Sequence, residues 1–263
     1  MKPVRIFIKV ILLASLSVAG LVLMGVFARK ASLGLEGKIS EKQKNIRQWW
    51  LKKVVRIVGL RVDVAGQKPT RQKSALWVSN HVSWLDIPVI GSEGVAFLSK
   101  AEIRQWPVIG WLGEKGGTVF IKRGGKGASE NASKRIAQKI QSNDSVLVFP
   151  EATTTDGKDL KRFHARIFAP AMDHSLPIQP IAIRYLDAAG NYHPNVTWGD
   201  ESFMSNLITI LGESTIHVEL TFLPIINAEG FSERKQLANQ AYKQIRHIVK
   251  PSLIAEAEQG KVS

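Results

Sequence analysis

Ala75-Leu76-Trp77-Val78-Ser79-Asn80-His81-Val82-Ser83-Trp84-Leu85-Asp86 joins a short apolar run to a polar turn that carries a histidine and a carboxylate. Ala75 to Ser79 has the length and composition of a buried strand, and Ser83 with Asp86 makes the Ser-x-x-Asp pattern of a capping box opening a helix over Ser83 to Ile90. His81 then falls in the strand-to-helix turn. Five positions apart on a continuous helix the two side chains would face different sides, so they meet only if His81 precedes the first turn. If they meet, the chemistry is that of a base with its orienting acid. A neutral imidazole can take the proton of an attacking hydroxyl, and a carboxylate on its other ring nitrogen fixes the tautomer and stabilises the imidazolium. Taken alone, the same residues also fit a capping acid beside a polar loop histidine.

Outward from this turn, short apolar strands alternate with helical stretches. Strands are expected at Arg61 to Ala65, Ala75 to Ser79, Val95 to Ser99, Thr118 to Ile121, Ser145 to Phe149, Ile178 to Arg184 and Thr215 to Phe222. Helices are expected at Ser83 to Ile90, Ala128 to Gln141, Arg166 to His174 and Ser232 to Val249. The alternation predicts an α/β fold with a mixed, mostly buried sheet flanked by helices, preceded by an N-terminal membrane anchor helix and a basic amphipathic helix. The expected division is an anchor and break at 1–37, an amphipathic helix at 38–60, a catalytic domain at 61–251 and a polar tail at 252–263. The 263 residues are enough for one sizeable core.

Val10 to Ala28 is apolar and uncharged, with Lys2, Arg5 and Lys9 before it and Arg29 and Lys30 after it. A span needs about 20 apolar residues, and Ala28-Arg29-Lys30 is a poor cleavage site, so a retained anchor is expected rather than a signal peptide. Lys38, Lys42, Lys44, Arg47, Lys52 and Lys53 place the downstream side in the cytoplasm by the positive-inside rule, at the inner membrane. After a break at Gly34 to Gly37, Ser40 is positioned to cap a helix running to about Val58, with Ile46, Trp49, Trp50, Val54 and Ile57 at helical spacing. Its cations suit either a helix at the lipid headgroup boundary or a solvated face of a core-packed helix. The formal charge of +14, from 36 Lys and Arg against 22 Asp and Glu, favours an anionic partner. No nucleic-acid module is visible, and an anionic membrane surface is the expected partner. The absence of cysteine excludes disulfides, thiolate nucleophiles and thiolate metal sites. No His and carboxylate spacing suggests a metal, His164, His174, His193, His217 and His247 being scattered, and no cofactor is expected.

Three further clusters fall at strand ends, where α/β folds gather functional groups. Gly116-Gly117-Thr118-Val119-Phe120-Ile121-Lys122-Arg123-Gly124-Gly125 is a strand with two cations at its exit; Val146-Leu147-Val148-Phe149-Pro150-Glu151-Ala152-Thr153-Thr154-Thr155-Asp156-Gly157 is a strand ending in a polar turn; Leu176-Pro177-Ile178-Gln179-Pro180-Ile181-Ala182-Ile183-Arg184-Tyr185 is an apolar strand broken twice by proline. In this order and spacing the four clusters resemble the glycerolipid acyltransferase family, over roughly Val62 to Leu223. Asn80-His81 with Asp86 matches the family's His-x-x-x-x-Asp motif and implies His81 as general base and Asp86 as its orienter. The segments at Phe120 to Arg123 and Phe149 to Glu151 resemble the second and third motifs. The resemblance implies that Lys122, Arg123, Glu151, Thr153 and Thr154 bind the acceptor. The Leu176 to Pro180 segment resembles the fourth motif, and Lys100 to Ile103 with Trp106 to Gly110 resembles the family's linking segment.

Two departures bear on the acceptor. The second motif commonly has an acid where this chain has Lys122, and the third commonly reads Phe-Pro-Glu-Gly-Thr-Arg, where this chain has Ala152 for the glycine and Thr154 for the arginine. The Thr-Thr-x-Asp-Gly continuation resembles lyso-ornithine lipid acyltransferases. The expected reaction is acyl transfer from acyl-CoA or acyl carrier protein to the hydroxyl of a lysolipid: 1-acyl-glycerol-3-phosphate, giving phosphatidic acid, or alternatively lyso-ornithine lipid. Backbone N–H groups near the Ser83 helix start would serve the oxyanion, and Ser83 is the rival nucleophile. A lipid hydrolase and a non-catalytic basic lipid-binding protein are the competing classes; the first is disfavoured by the lack of a Gly-x-Ser-x-Gly elbow.

Overall fold

Apolar runs of strand length, too short for most helices, lie between glycines, prolines and polar turns, and they pair into one sheet. The computed structural model describes residues 2–31, 39–70, 73–121, 127–198 and 201–250. The strands are β1 (Leu60–Gly66), β2 (Leu76–Ser79), β3 (Ala96–Lys100), β4 (Val119–Ile121), β5 (Val146–Val148), β6 (Ile178–Leu186) and β7 (Ile216–Phe222). They form a seven-stranded sheet in the order β1-β7-β6-β2-β5-β3-β4. Only the β6–β7 pairing is antiparallel, so β6, β2, β5, β3 and β4 all point their carboxyl ends the same way. The expected mixed, buried sheet is what forms.

Helices cover both faces. On one side Leu76, Val78, Val146 and Val148 pack with residues of α5 (Ala128–Gln141), α6 (Ala169–Asp173) and α8 (Arg234–Val249). On the other, Trp77, Leu147, Ile181 and Ile183 pack with residues of α2 (Glu41–Val58), α3 (Asp86–Gly91) and α7 (Phe203–Gly212). Alternate residues of one strand therefore serve two cores, which accounts for strands that are apolar without a break. Each fully buried aliphatic chain contributes roughly 2 kcal/mol.

The fourth-motif strand forms where expected but without a break at Pro180. Proline lacks the N–H a central strand needs, yet β6 runs unbroken through Pro180. The Leu223 N–H donates to the Pro180 carbonyl at 3.0 Å, and the return bond that Pro180 cannot make is supplied by the neighbouring side chain: Gln179 Nε2 donates to the Leu223 carbonyl at 2.7 Å. A buried amide replaces the missing backbone donor.

The N-terminal helix α1 (Lys2–Ala31) runs antiparallel to α2. Lys9 Nζ donates to the carbonyls of Val58 and Glu213 at the ends of α2 and α7, Arg5 to the carbonyl of Gly212, and Trp50 Nε1 to the carbonyl of Leu16. Cations at helix C-termini meet the negative end of the dipole as well as unpaired carbonyls. The outward side of α1 exposes Val4, Phe7, Ile8, Ile11, Leu12, Val18 and Val22.

Helix α2 has the expected bounds, with a Ser40–Gln43 capping box and a left-handed Gly59 closing it. Its inward row is not the expected one. Lys44 and Arg47 are buried with Leu51, Val54 and Val58, whereas Trp49 is exposed. Arg47 forms a two-pronged pair with Asp144, at 2.8 and 3.2 Å, and donates to the Gly116 carbonyl at 2.7 Å; Lys44 donates to Glu41 and to the carbonyls of Ser142 and Asn143. Buried cations are tolerated because nearly every donor has an acceptor. Two helices went unforeseen, α4 (Ile109–Lys115) and α7, and the stretch expected as one helix from Arg166 is a 3-10 turn, Ala165–Phe168, followed by α6. The break at Gly34 to Gly37 and the tail at 252–263 lie outside the described residues. Replacing Arg47 by Met should destabilise the fold by roughly 3 kcal/mol in denaturant unfolding, because Asp144 is left buried with only Lys139 at 3.4 Å.

Candidate active site

Three adjacent strands, β6, β2 and β5, bring their carboxyl ends together, and each delivers part of one constellation. Asn80 follows the last residue of β2 and is fully buried. Its side chain donates to the Ile183 carbonyl and accepts from the Ile183 N–H, both at 2.9 Å. The Asn80 amide thus imitates a peptide, extending the ladder to β6 while the main chain turns away.

That turn presents His81. Its Nδ1 lies 2.7 Å from Asp86 Oδ2, and its ring stacks on Phe149 at 4.0 Å between centroids. Its N–H donates to Glu151 Oε1, and its carbonyl accepts from the Thr155 N–H at 2.8 Å. The loop after β5 therefore grips both polar groups of the histidine backbone while its side chain is held by ring stacking and the carboxylate. His81 precedes α3, as the pairing with Asp86 requires.

Asp86 is fully buried. Among the described residues it accepts from four donors: His81 Nδ1 and the N–H groups of Val82 and Ser83 on Oδ2, and Tyr185 Oη on Oδ1 at 2.7 Å. Burial and the facing carboxylate push the Tyr185 hydroxyl well above its ordinary pKa, so it stays protonated and donates. Asp86 as acceptor from Nδ1 leaves Nε2 as the basic nitrogen of a neutral ring.

One expectation narrows here and another fails. The amides of Val82 and Ser83 are spent on Asp86, which leaves any oxyanion to other N–H groups near the helix start. Ser83 does not cap the helix through its side chain: α3 starts at Asp86, its N-cap Leu85 makes no side-chain bond, and Ser83 Oγ is buried without a partner. The carboxylate of Asp86 reaching back to the Ser83 N–H is only the return half of a capping box. Full burial also removes Ser83 as a nucleophile.

Glu151 is buried, and its two oxygens accept from the N–H groups of His81 and Lys161. Burial raises its pKa above the usual carboxylate range, against the pull of those two amides. Thr154 Oγ1 donates to the Trp198 carbonyl at 2.8 Å, and Thr153 is exposed. Strand β4 ends at Ile121, and Lys122 and Arg123 lie outside the described residues.

A family model described as Acyltransferase matches residues 61–184. The chain is 37% identical over 250 residues to the lyso-ornithine lipid O-acyltransferase of Pseudomonas aeruginosa, covering 90% of this chain and 92% of that one. It is 30% identical to the 1-acyl-sn-glycerol-3-phosphate acyltransferase of Neisseria gonorrhoeae over 72% of this chain and 74% of that one. The chain belongs to the acyltransferase family. Its fold is that of the crystal structure of the 1-acyl-sn-glycerophosphate acyltransferase PlsC from Thermotoga maritima, with a TM-score of 0.67 at 20% identity, over 95% of this chain and 96% of that one.

The structure of this acyltransferase gives physical content to its departures from the family pattern. Ala152 has φ +60, left-handed backbone that costs an L residue about 1–2 kcal/mol and that glycine adopts freely. Thr154, in the place of the arginine, turns its hydroxyl onto a main-chain carbonyl of the same chain. Sequence reasoning did not assign roles to Tyr185, Thr155 or Phe149. Tyr185 carried a signal, since a tyrosine in an apolar central strand needs a partner for its hydroxyl; Thr155 carried none, because what its N–H and hydroxyl hold, the His81 carbonyl, is remote in sequence. Replacing Asn80 by Ala should strand the Ile183 N–H and carbonyl and lower stability by roughly 2–4 kcal/mol, read as a lower denaturant midpoint.

Proposed function

We propose that this acyltransferase moves an acyl chain from a thioester, acyl-CoA or acyl carrier protein, to the free hydroxyl of lyso-ornithine lipid at the cytoplasmic face of the inner membrane. The observation that carries the chemistry is the 2.7 Å contact of His81 Nδ1 with Asp86, which leaves Nε2 as proton acceptor. In this reading Nε2 takes the hydroxyl proton as the oxygen attacks the thioester carbonyl. The tetrahedral intermediate collapses to the ester, the C–S bond breaks, and the imidazolium returns its proton to the departing sulfur. Asp86 holds the ring and the transient positive charge, and Tyr185 holds Asp86. No acyl-enzyme is required. Glu151 acts through the backbone of His81, positioning the base, and Lys122 and Arg123 meet the anionic group of the acceptor.

The choice of acceptor rests on Thr154 and on the likeness to the Pseudomonas protein. A hydroxyl committed to the Trp198 carbonyl does not replace the planar, charged fork that suits a phosphate. Ornithine, an amino acid, has a weaker need for that fork. Acylation of 1-acyl-glycerol-3-phosphate is the second reading, favoured by the likeness to the Neisseria protein and by the two cations after β4. Family membership, with the model match over residues 61–184, supports transfer rather than lipid hydrolysis or passive lipid binding.

The membrane is met by α1. Because α1 lies along α2 and is pinned to α7, a crossing orientation would drag the polar surface of the domain into hydrocarbon. We therefore place α1 in one leaflet, its outward apolar side in the lipid and its basic N-terminal end at the headgroups.

Purified protein in liposomes, offered labelled acyl-CoA and acyl carrier protein, should acylate lyso-ornithine lipid at least about tenfold faster than lysophosphatidic acid; the opposite ratio selects the second reading. His81→Ala should lower transfer by roughly 10²–10⁴-fold while the protein stays folded and membrane-bound. Tyr185→Phe should slow turnover about fivefold, the equivalent of roughly 1 kcal/mol. The loss should fall on kcat with KM unchanged, because Tyr185 acts through Asp86 and not on either substrate. A lowered denaturant midpoint with kcat unchanged would reduce Tyr185 to a packing residue.

A further inference from the structure

Helix α7 carries its hydrophobicity on the wrong side for a helix meeting water. Asn206, Ile210 and Leu211 face inward, while Met204 is 59% and Ile208 is 52% exposed, one turn apart on the outer surface. At the N-terminal end of α7, Phe203 is ringed by Trp84 and Trp198, with centroids at 5.7 Å, and by Trp106 at 6.1 Å. Trp106 and Ile109 are themselves 42% and 49% exposed. The residue between Pro107 and Ile109, Val108, is held at φ +65 and ψ −62, closed by an Ile109 N–H bond to the Pro107 carbonyl. A β-branched residue is strained there, and the strain sits at the bend between Trp106 and Ile109.

The helices that carry or border these exposed groups, α7 and α4, both pack on α1. Gly212, ending α7, accepts from Arg5, and α4 meets α1 where Leu112 and Trp111 lie against Gly20 and Gly25. Trp106 then closes the circuit from α4 to Phe203 of α7. Of the seven tryptophans in the chain, Trp49 is exposed on α2, Trp77 lies in the sheet core, Trp50 and Trp111 touch α1, and Trp84, Trp106 and Trp198 surround Phe203. Indole rings gather where a protein meets the boundary of a lipid leaflet.

The same cluster is wired to the base. Trp84 Nε1 donates to Asn206 Oδ1 at 2.9 Å, and Trp84 lies three residues after His81. The Trp198 N–H reaches the Val82 carbonyl, and the Trp198 carbonyl accepts from Thr154.

Resting on the reading of the enzyme as a membrane lysolipid acyltransferase, we propose that the outer face of α7, with Trp106 and Ile109, inserts into the acyl region of the same leaflet as α1, and that the aromatic ring around Phe203 is the portal by which a lysolipid leaves the bilayer for His81. A lipid leaflet fits this surface because it extends an apolar face already assigned to lipid and is bordered by tryptophan.

The chain has no cysteine, so a single engineered one can be labelled without background. Nitroxides at Ile208→Cys, Val18→Cys on α1 and Lys243→Cys on the exposed side of α8 would be compared in liposomes of anionic phospholipid, by collision with oxygen and with a water-soluble nickel chelate. The 208 and 18 labels should both favour oxygen, and the 243 label the chelate. A 208 label that behaves like 243 while 18 stays immersed overturns the proposal and leaves the anchor standing; all three in water would sink the membrane reading itself. A 208 label shielded from both reagents and broadened by a second spin would mean a contact between copies, which also overturns it. In parallel, Met204→Glu/Ile208→Glu should lower transfer to a long-chain acceptor in vesicles at least about tenfold more than transfer to a short-chain, monomeric acceptor with the same head group. Equal losses on both would show α7 to be merely structural.

Discussion

A carboxylate with no exposed surface, on which four donors converge, holds this site together. Each of the donors that point at Asp86 in the interior ties down a different piece of chain. The amides of Val82 and Ser83 set the turn after β2, Nδ1 sets the plane of the histidine, and Tyr185 binds the turn to β6. Lose the carboxylate and these donors face apolar surroundings without an acceptor, an expense far beyond one hydrogen bond. The geometry at His81 is thus a by-product of satisfying a buried charge. Precise placement of a base follows from folding itself, before any substrate arrives.

The loop after β5 supplies the second constraint from the neighbouring strand. Glu151 and Thr155 hold the N–H and carbonyl of His81, and Phe149 backs the ring. Both oxygens of Glu151 accept main-chain N–H groups, those of His81 and Lys161, so the residue that the third-motif resemblance links to the acceptor also braces the base. The left-handed turn at Ala152 is part of the same device, since it lets the loop double back over His81 within a few residues.

The strands were legible because burial on both faces writes them as apolar runs, and α2 because Ser40, Gln43 and Gly59 mark its ends in local chemistry. The pairing of His81 with Asp86 was legible from a steric requirement: the histidine had to precede the helix. What escaped reading depended on partners remote in sequence. Lys44 and Arg47 looked like a solvated or lipid-facing row, and nothing near them announced Asp144, 97 positions from Arg47, as the acceptor that lets them be buried. Pro180 looked like a break because the substitute donor is a side chain, Gln179. Helix α7 escaped because its ten residues are too few for a clear helical period and its outward face is apolar, so the usual contrast between a wet and a dry side is missing.

That inverted face connects the local chemistry to the problem the molecule has to solve. A lysolipid is held in its leaflet by roughly 0.8 kcal/mol for each buried methylene, so lifting it wholly into water to reach a base would be prohibitively slow. An enzyme acting on it gains by lowering the base toward the lipid rather than raising the lipid to the base. The strands can place His81 but cannot move it, since it is fixed from β2, β5 and β6 at once. The adjustable part is therefore the surface around it, where Trp106 of the turn before α4 and Trp84 meet Phe203 of α7. Arg47 and Lys9 make this arrangement rigid. One clamps α2 to the loop after α5, and the other clamps α1 to the ends of α2 and α7, so that the apolar rim and the buried carboxylate belong to a single body. In the proposed mechanism, which has no acyl-enzyme, both substrates must be present at His81 together, and a rim that flexed independently would lose the register between leaflet and imidazole.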